Sequence, residues 1–244
     1  MIPKLIHQTW KDYNIPNQWI ESQKTCQNMN FNYKYILWTD EDMDKFVKLE
    51  YPVFYKTYKS YKYHIQRCDS FRYLLLYKYG GIYLDLDIVC KKKLDSLLNY
   101  DLVLTYSMNI QTSLTNSFMM SIPKHPFFKY CIENLDLRTN YYNNFGKHIN
   151  VMYSTGPLFL TDMLNKYGNG NIKNMKILNK SEFSGDCKVC NLNNCKGGKY
   201  FNHLIGNSWN NIDSKFYNFF LCNYVNIIIL IIIFIIIFLL YKLF

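Results

Sequence analysis

Two aspartates one leucine apart, Asp85 and Asp87, sit in an apolar run that begins at Ile82, and an acid with a base, Asp69 and Arg72, precedes them. Carboxylates side by side in an apolar segment repel each other and lose hydration, so the pair calls for a compensating cation. Ligands that are all oxygen suit Mg²⁺ or Mn²⁺, which keep coordination positions for water and for a substrate diphosphate. Arginine adds a planar, multi-donor grip for hydroxyls or carboxylates, and it is scarce here: Arg67, Arg72 and Arg138 are the only three in a lysine-rich chain of 244 residues. These residue types describe a site for a divalent metal and a phosphorylated ligand. A metal-dependent phosphoesterase would use the same two aspartates, but it normally recruits further carboxylates or histidines for a second metal, and the sequence has no obvious cluster of that kind.

Positioning these groups requires a helix, a break and a strand. From His64 to Tyr79 no proline or glycine interrupts a run rich in Leu and Tyr, which predicts a helix, and Gly80 with Gly81 supplies the positive φ angles that end it. Asp69 stands three residues before Arg72 and four before Tyr73, so the three share a helix face. On spacing alone, Asp69 and Arg72 are equally a surface ion pair worth little. Ile82 to Val89 then reads as a strand, whose period of two puts Asp85 and Asp87 on one face. Further strands are expected at Lys4 to Thr9, Tyr33 to Trp38 and Leu102 to Tyr106, alternating with helices in one α/β domain with a largely parallel sheet. Thr39 with Asp42 predicts a helix start, and Pro157 after Gly156 another, ending near Gly168. His7 reads as a hydrogen-bonded structural histidine and Trp38 as core; His64, His125 and His148 receive no role.

The segments MIPKLIHQTW at the N-terminus, YILWTDEDM at Tyr35 to Met43, the block from Arg67 to Cys90, STGP at Ser154 to Pro157 and HLIGNSW at His203 to Trp209 occur in the order of one family. They resemble the DXD-containing glycosyltransferases of family thirty-two, the initiating mannosyltransferases of yeast type and the inositol phosphorylceramide mannosyltransferases. A more distant likeness is to the glucosyltransferase domain of the large clostridial toxins. The resemblance implies a GT-A type, Rossmann-like nucleotide-sugar-binding fold, a divalent metal, and retention of anomeric configuration. It makes Asp85 and Asp87 the D-x-D pair, with Asp87 the direct metal ligand and Asp85 at the ribose or donor sugar. It puts Asp69 and Arg72 on donor-sugar hydroxyls with Tyr73 close by. Gln8, Thr9 and Trp10 would lie along the nucleotide, His203 would complete the metal coordination, and Ser208 with Trp209 would form a lid. The reaction implied is hexosyl transfer, mannose first, from GDP-mannose (a UDP-hexose as the alternative) to a lipid headgroup or glycan hydroxyl. A catalytically inactive binding protein would keep the fold, but intact Asp69, Arg72, Asp85 and Asp87 argue against decay.

Two other features bear on partners. Phe219 to Tyr241 carries no charge and approaches the ~20 residues needed to cross a bilayer. The expected organisation is a catalytic domain at 1–215 with a Cys-rich insertion at 181–200, then a single-pass anchor at 219–241. Ile2 opens the first strand directly, so no leader peptide is expected and the catalytic domain should face the cytosol; relatives imply an endomembrane or Golgi setting instead. A net charge of +10, with Lys91, Lys92 and Lys93 just past the D-x-D, suits anionic headgroups and a nucleotide diphosphate. No Arg-rich face or motif supports nucleic acid. Cytosolic exposure would keep Cys26, Cys68, Cys90, Cys131 and Cys222 reduced. Cys187, Cys190 and Cys195, with His203 following, offer a zinc knuckle on paper, or a surface insertion with free or paired thiols.

Overall fold

The computed structural model describes every residue except 108–111, 140–141, 143, 184, 186–196, 205, 207–211 and 244. Ser208, Trp209, Cys187, Cys190 and Cys195 lie outside the described residues. A six-stranded sheet forms the centre. Its strands are β1 (Leu5–Thr9), β2 (Lys34–Trp38), β3 (Gly81–Leu84), β5 (Leu102–Tyr106), β6 (Leu114–Ser121) and β7 (Met175–Leu178), in the order β2-β1-β3-β6-β5-β7. Only β6 runs against the others, so the sheet is largely parallel as expected. Two short strands, β4 (Ile88–Cys90) and β8 (Phe201–His203), pair antiparallel beside it.

Helices cover both faces: α1 (Asn17–Met29), α2 (Asp40–Glu50), α3 (Pro52–Ser60), α4 (His64–Tyr79), α5 (Pro126–Arg138), α6 (Gly146–Ser154) and α7 (Pro157–Tyr167). The start signals in the sequence act locally. Thr39 and Asp42 form a reciprocal capping box on α2, and Pro157 opens α7, which Gly168 ends. Helix α4 fills the span read from the sequence and is buried along most of its length. Low amphipathicity is the result, because β6, α5 and α6 enclose it on several sides. Gly80 and Gly81 then turn the chain into the sheet with φ of 62° and 91°. A Cβ on Gly81 would lie 2.5 Å from the Leu5 carbonyl, and one on Gly80 2.6 Å from the Pro123 nitrogen. Glycine is required at both for its backbone conformation and for the space. His7 is a structural histidine: its Nε2 lies 3.1 Å from the Gly80 carbonyl, its Nδ1 accepts from Trp38 Nε1, and burial lowers its pKa to about 4.

Two expectations are corrected, and a third is met only in part. The strand read through Val89 stops at Leu84, and Asp85, Leu86 and Asp87 form the turn that carries the chain from the large sheet to the small one. Period two therefore does not orient the aspartates. The apolar C-terminal segment belongs to α8 (Ile212–Leu243), which bends by 62° between Ile212–Phe220 and Cys222–Ile236. Among the described residues no single straight helix is long and apolar enough to cross a membrane; the two arms reach that length together. Finally, Cys26 and Cys90 are not free thiols. They form a disulfide between α1 and β4, both sulfurs buried, and Cys222 is likewise disulfide-bonded, whereas Cys68 and Cys131 are free.

The Cys26–Cys90 bridge closes a loop spanning a sequence separation of 64 and ties down the strand that follows Asp87. Replacing both cysteines by alanine is expected to lower unfolding free energy by roughly 2–4 kcal/mol. Urea denaturation of the variant beside the parent, with a non-reducing peptide map to establish the bridge in the parent, checks this; an unchanged midpoint would contradict it.

Candidate active site

The D-x-D turn is held from three sides. Asp85 N donates to the Ser117 carbonyl on β6 at 2.9 Å, and Gln8 Nε2 donates to the Asp85 carbonyl at 3.3 Å. Leu86 is buried, and its carbonyl accepts from Ser22 of α1. All three turn residues, Asp85, Leu86 and Asp87, border a cavity of about 640 Å³. Asp69 and Arg72 from α4, Thr9 and Trp10 from the end of β1, and His203 line the same cavity.

Arg72 organises the cavity floor. Its Nη1 lies 3.0 Å from Asp69 Oδ1 and donates to the Asn116 carbonyl at 3.2 Å, while its Nη2 lies 3.0 Å from Asp85 Oδ1. The guanidinium also rests 4.8 Å from the centre of the Tyr83 ring. Burial works against the Arg72 cation, but Asp85, Tyr83 and Asp69 together raise its pKa further and keep it charged. Burial pushes the Asp85 carboxyl up to about 6, opposed by Arg72 and reinforced by the charge of Asp87. Burial raises Asp69 as well, against Arg72, Asn116 and Thr155. The surface-pair reading of Asp69 and Arg72 therefore fails: their side chains are only 4% and 7% exposed.

His203 arrives through the small sheet. Antiparallel pairing sets it opposite Ile88, the residue after Asp87, so its Nε2 faces Asp87 Oδ1 at 3.3 Å. Burial alone would lower the His203 pKa, yet the Asp87 carboxylate outweighs it and the net shift is upward. The contact is an ion pair without hydrogen-bond alignment. Asp87 Oδ1, His203 Nδ1, Trp10 Nε1 and Arg72 Nε are buried with no hydrogen-bond partner among the described residues. Such atoms are costly unless a ligand satisfies them. The donor set, two carboxylates and one imidazole with an unpaired carboxylate oxygen, fits Mn²⁺ or Mg²⁺. Gly206 completes the enclosure, since a Cβ there would fall 1.9 Å from Asp87 Oδ2. A softer group, Asp40, His64 and Cys68, brings ligand-type atoms within 4.8 Å of one another on the cavity wall.

Two residues expected at the ligand stand behind it. Tyr73 is fully buried and donates to the Thr155 carbonyl at 2.7 Å, because its helix position faces α7 and β6 and not the cavity. Gln8 is buried too, and its amide oxygen accepts from Tyr35 while its nitrogen holds the D-x-D turn. Three residues escaped the sequence reading. Tyr83 donates to Asp85 Oδ1 at 2.7 Å and its hydroxyl lies 3.0 Å from Thr9 Oγ1; a tyrosine inside an aliphatic strand was the available signal. Asn116 Nδ2 donates to Asp69 Oδ1 at 3.0 Å, and Thr155 Oγ1 to Asp69 Oδ2 at 3.2 Å. STGP thus does more than open a helix.

Two consequences are measurable. Arg72→Ala leaves the buried Asp69 and the part-buried Asp85 without their cation and should cost roughly 3–5 kcal/mol of stability, read by urea unfolding. Asp85, with an ordinary value of 3.8, binds its proton more readily in the folded chain, so between about 3.8 and 6 its ionisation lowers stability as pH rises. The Tm of metal-free protein should carry this downward contribution and the Asp85→Asn variant should lack it; a Tm profile unaltered by that substitution would refute the assignment.

The chain matches the model of the glycosyltransferase sugar-binding region containing the DXD motif over residues 16–104. It is 45% identical over 160 residues to inositol phosphoceramide mannosyltransferase 3 of Schizosaccharomyces pombe, covering 66% of this chain and 44% of that protein. It is 37% identical over 219 residues to a mannosyl phosphorylinositol ceramide synthase of Saccharomyces cerevisiae, covering 88% and 55%. The chain thus spans about half the length of these yeast relatives. An uncharacterized glycosyltransferase of Acanthamoeba polyphaga mimivirus is 34% identical over 217 residues, covering 86% of this chain and 84% of the relative. Among solved structures, the glycosyltransferase domain of the YGT toxin superposes with a TM-score of 0.57 at 8% identity, covering 72% and 80%, which supports the GT-A fold. Motif, fold and relatives agree, and the chain belongs to the family of DXD-containing glycosyltransferases.

Proposed function

We propose that this protein is a membrane-anchored, metal-dependent, retaining mannosyltransferase that uses GDP-mannose and an inositol phosphoceramide-type lipid acceptor. The observation that carries the reading is the buried Asp87 oxygen without a hydrogen-bond partner among the described residues, beside His203 and Asp85 in a cavity that also holds the Asp69–Arg72 pair. Asp85, Asp87 and His203 would hold the metal, whose chemistry is to neutralise the charge that develops on the departing diphosphate. Arg72, fixed by Asp69, Asp85 and the Asn116 carbonyl, orients the donor sugar from beneath, and Trp10 borders the nucleotide with an indole N–H available to it. The charged floor stabilises the cationic sugar of the transition state. Asp69 is enclosed by Arg72, Asn116 and Thr155, which leaves it a positioning group and not a nucleophile. A front-face transfer, in which the leaving phosphate accepts the acceptor's proton, needs no protein nucleophile and retains configuration.

The names of the yeast relatives support mannose and an inositol phosphoceramide acceptor. Helix α8, with exposed Ile228, Leu230, Ile232 and Phe234, supports anchoring to a bilayer. The Cys26–Cys90 disulfide favours an oxidising compartment over the cytosol for the catalytic part.

Incubating the protein with Mn²⁺ and each of GDP-mannose, UDP-glucose and UDP-galactose is expected to release mannose from the first. Asp87→Ala should lower that rate by about 100-fold or more. Equal hydrolysis by the variant, or turnover of a UDP-sugar alone, would overturn the metal assignment or the donor respectively.

A further inference from the structure

The cavity floor is acidic and its rim is basic. Lys62 and Lys147 both line the cavity, although they come from different elements: Lys62 from the turn before α4, Lys147 from the first turn of α6. Their ammonium groups lie 5.5 and 5.9 Å from the centre of one ring, that of Tyr63. The ring's place is set by the helix start, where Tyr63 N donates to Gln66 Oε1 at 3.0 Å. Two ammonium groups brought to one ring at the cavity edge offer an incoming anion a pair of charge-assisted contacts.

The first turn of α6 also holds the root of α8. His148 N donates to Asp213 Oδ2 at 2.7 Å, its ring nitrogen lies 3.1 Å from Ser214 Oγ, and the imidazole stacks on Tyr217 at 5.0 Å. Lys147 is therefore one residue from the clamp and one of the cations acting on Asp213. Beyond the clamp, α8 presents exposed Phe216, Phe219 and Phe220 before its aliphatic arm. The rim of the cavity and the level at which the chain turns apolar are thus joined through a single helical turn. At a bilayer surface that is the level of the phosphodiesters, where lysines extend toward anionic headgroups.

We propose that Lys62 and Lys147, seated over Tyr63, form the subsite for the phosphodiester of a membrane-lipid acceptor, so that the headgroup hydroxyl reaches toward Asp69, Arg72 and Asp85. This rests on the transferase reading above and deepens it. Phosphodiester recognition at the rim leaves the donor diphosphate to the Asp87 end of the cavity. A headgroup clamped at its phosphate is delivered with its polyol inward, which restricts the hydroxyls that can meet the sugar.

The test uses the full chain, Mn²⁺, GDP-mannose and phosphatidylcholine vesicles carrying inositol phosphoceramide. Lys62→Gln and Lys147→Gln should each raise the KM for the lipid by about 10-fold, the scale of one lost charge-assisted contact, and move the KM for GDP-mannose by less than about twofold. Lys147→Arg should recover most of the lipid KM. Direct titration of inositol 1-phosphate separates this proposal from the transferase reading, since it needs no turnover: the parent should bind it and the double variant should not. A raised donor KM with an unchanged lipid KM would assign the lysines to the donor diphosphate and overturn the proposal. Equal binding of inositol 1-phosphate by parent and double variant would overturn it as well. Failure of GDP-mannose turnover in the parent would strike the transferase reading alone.

Discussion

The buried guanidinium of Arg72 is the constraint around which this molecule is built. A cation out of water must be surrounded by acceptors or it will not remain there. Here the acceptors come from three separate parts of the chain: Asp69 on its own helix, Asp85 after β3 and the Asn116 carbonyl on β6. Satisfying one group therefore locks α4, the D-x-D turn and the reversed strand into one arrangement. Asp85 cannot leave Arg72 without exposing a buried charge on each. The same lock explains why α4 is enclosed on most sides: a guanidinium on a solvent-facing helix would be content with water, and would organise nothing.

That lock also assigns unequal work to the two aspartates. Asp85 is engaged by Arg72 and Tyr83, whereas Asp87 Oδ1 has His203 at ion-pair distance and no hydrogen-bond partner among the described residues. One oxygen of Asp85 is engaged by the protein, which leaves Asp87 the more open of the two carboxylates to a ligand. The difference follows from the turn. Leu86 is buried between them, and Asp87 hands the chain to β4, whose pairing with β8 brings His203 alongside. A continuous strand would have given both aspartates the same neighbours.

The parts legible in the sequence were those encoded by local chemistry. Helix α4, its two-glycine stop, the Thr39–Asp42 cap and the Pro157 start depend on residues within a few positions of one another, and the pattern exposes them directly. The largely parallel sheet followed from alternation of strands and helices. What stayed hidden depends on contacts between distant segments. Asn116 and Thr155 reach Asp69 from sequence separations of 47 and 86, and no spacing rule announces either. The family resemblance put Tyr73 close to the donor sugar, but on a helix buried along most of its length the Tyr73 hydroxyl meets the Thr155 carbonyl instead. The disulfide was missed because a cytosolic setting implied reduced thiols, and no spacing shows that Cys26 and Cys90 meet where α1 packs on β4. The D-x-D was located correctly in the chain and wrongly on a strand, since apolar residues continue on both sides of a turn whose middle residue is itself buried.

The short helix α6 ties this interior to the periphery. Its inner end contributes Asn150 and Ser154, buried partners of Gln66 on α4, while its first turn holds α8 through His148. A rigid element of only nine residues thus touches the helix that carries Arg72 and the helix that carries the apolar segment. If α8 is fixed in a bilayer, the height and tilt of the cavity above that surface follow from α6 and are not left to a flexible linker. Reaching a lipid headgroup without extracting it demands such a fixed height, because a hydroxyl misplaced by even an ångström forfeits much of the gain from orientation. On the proposed function, the buried Gln66–Asn150–Ser154 contacts would carry a positional role toward the acceptor as well as a packing one.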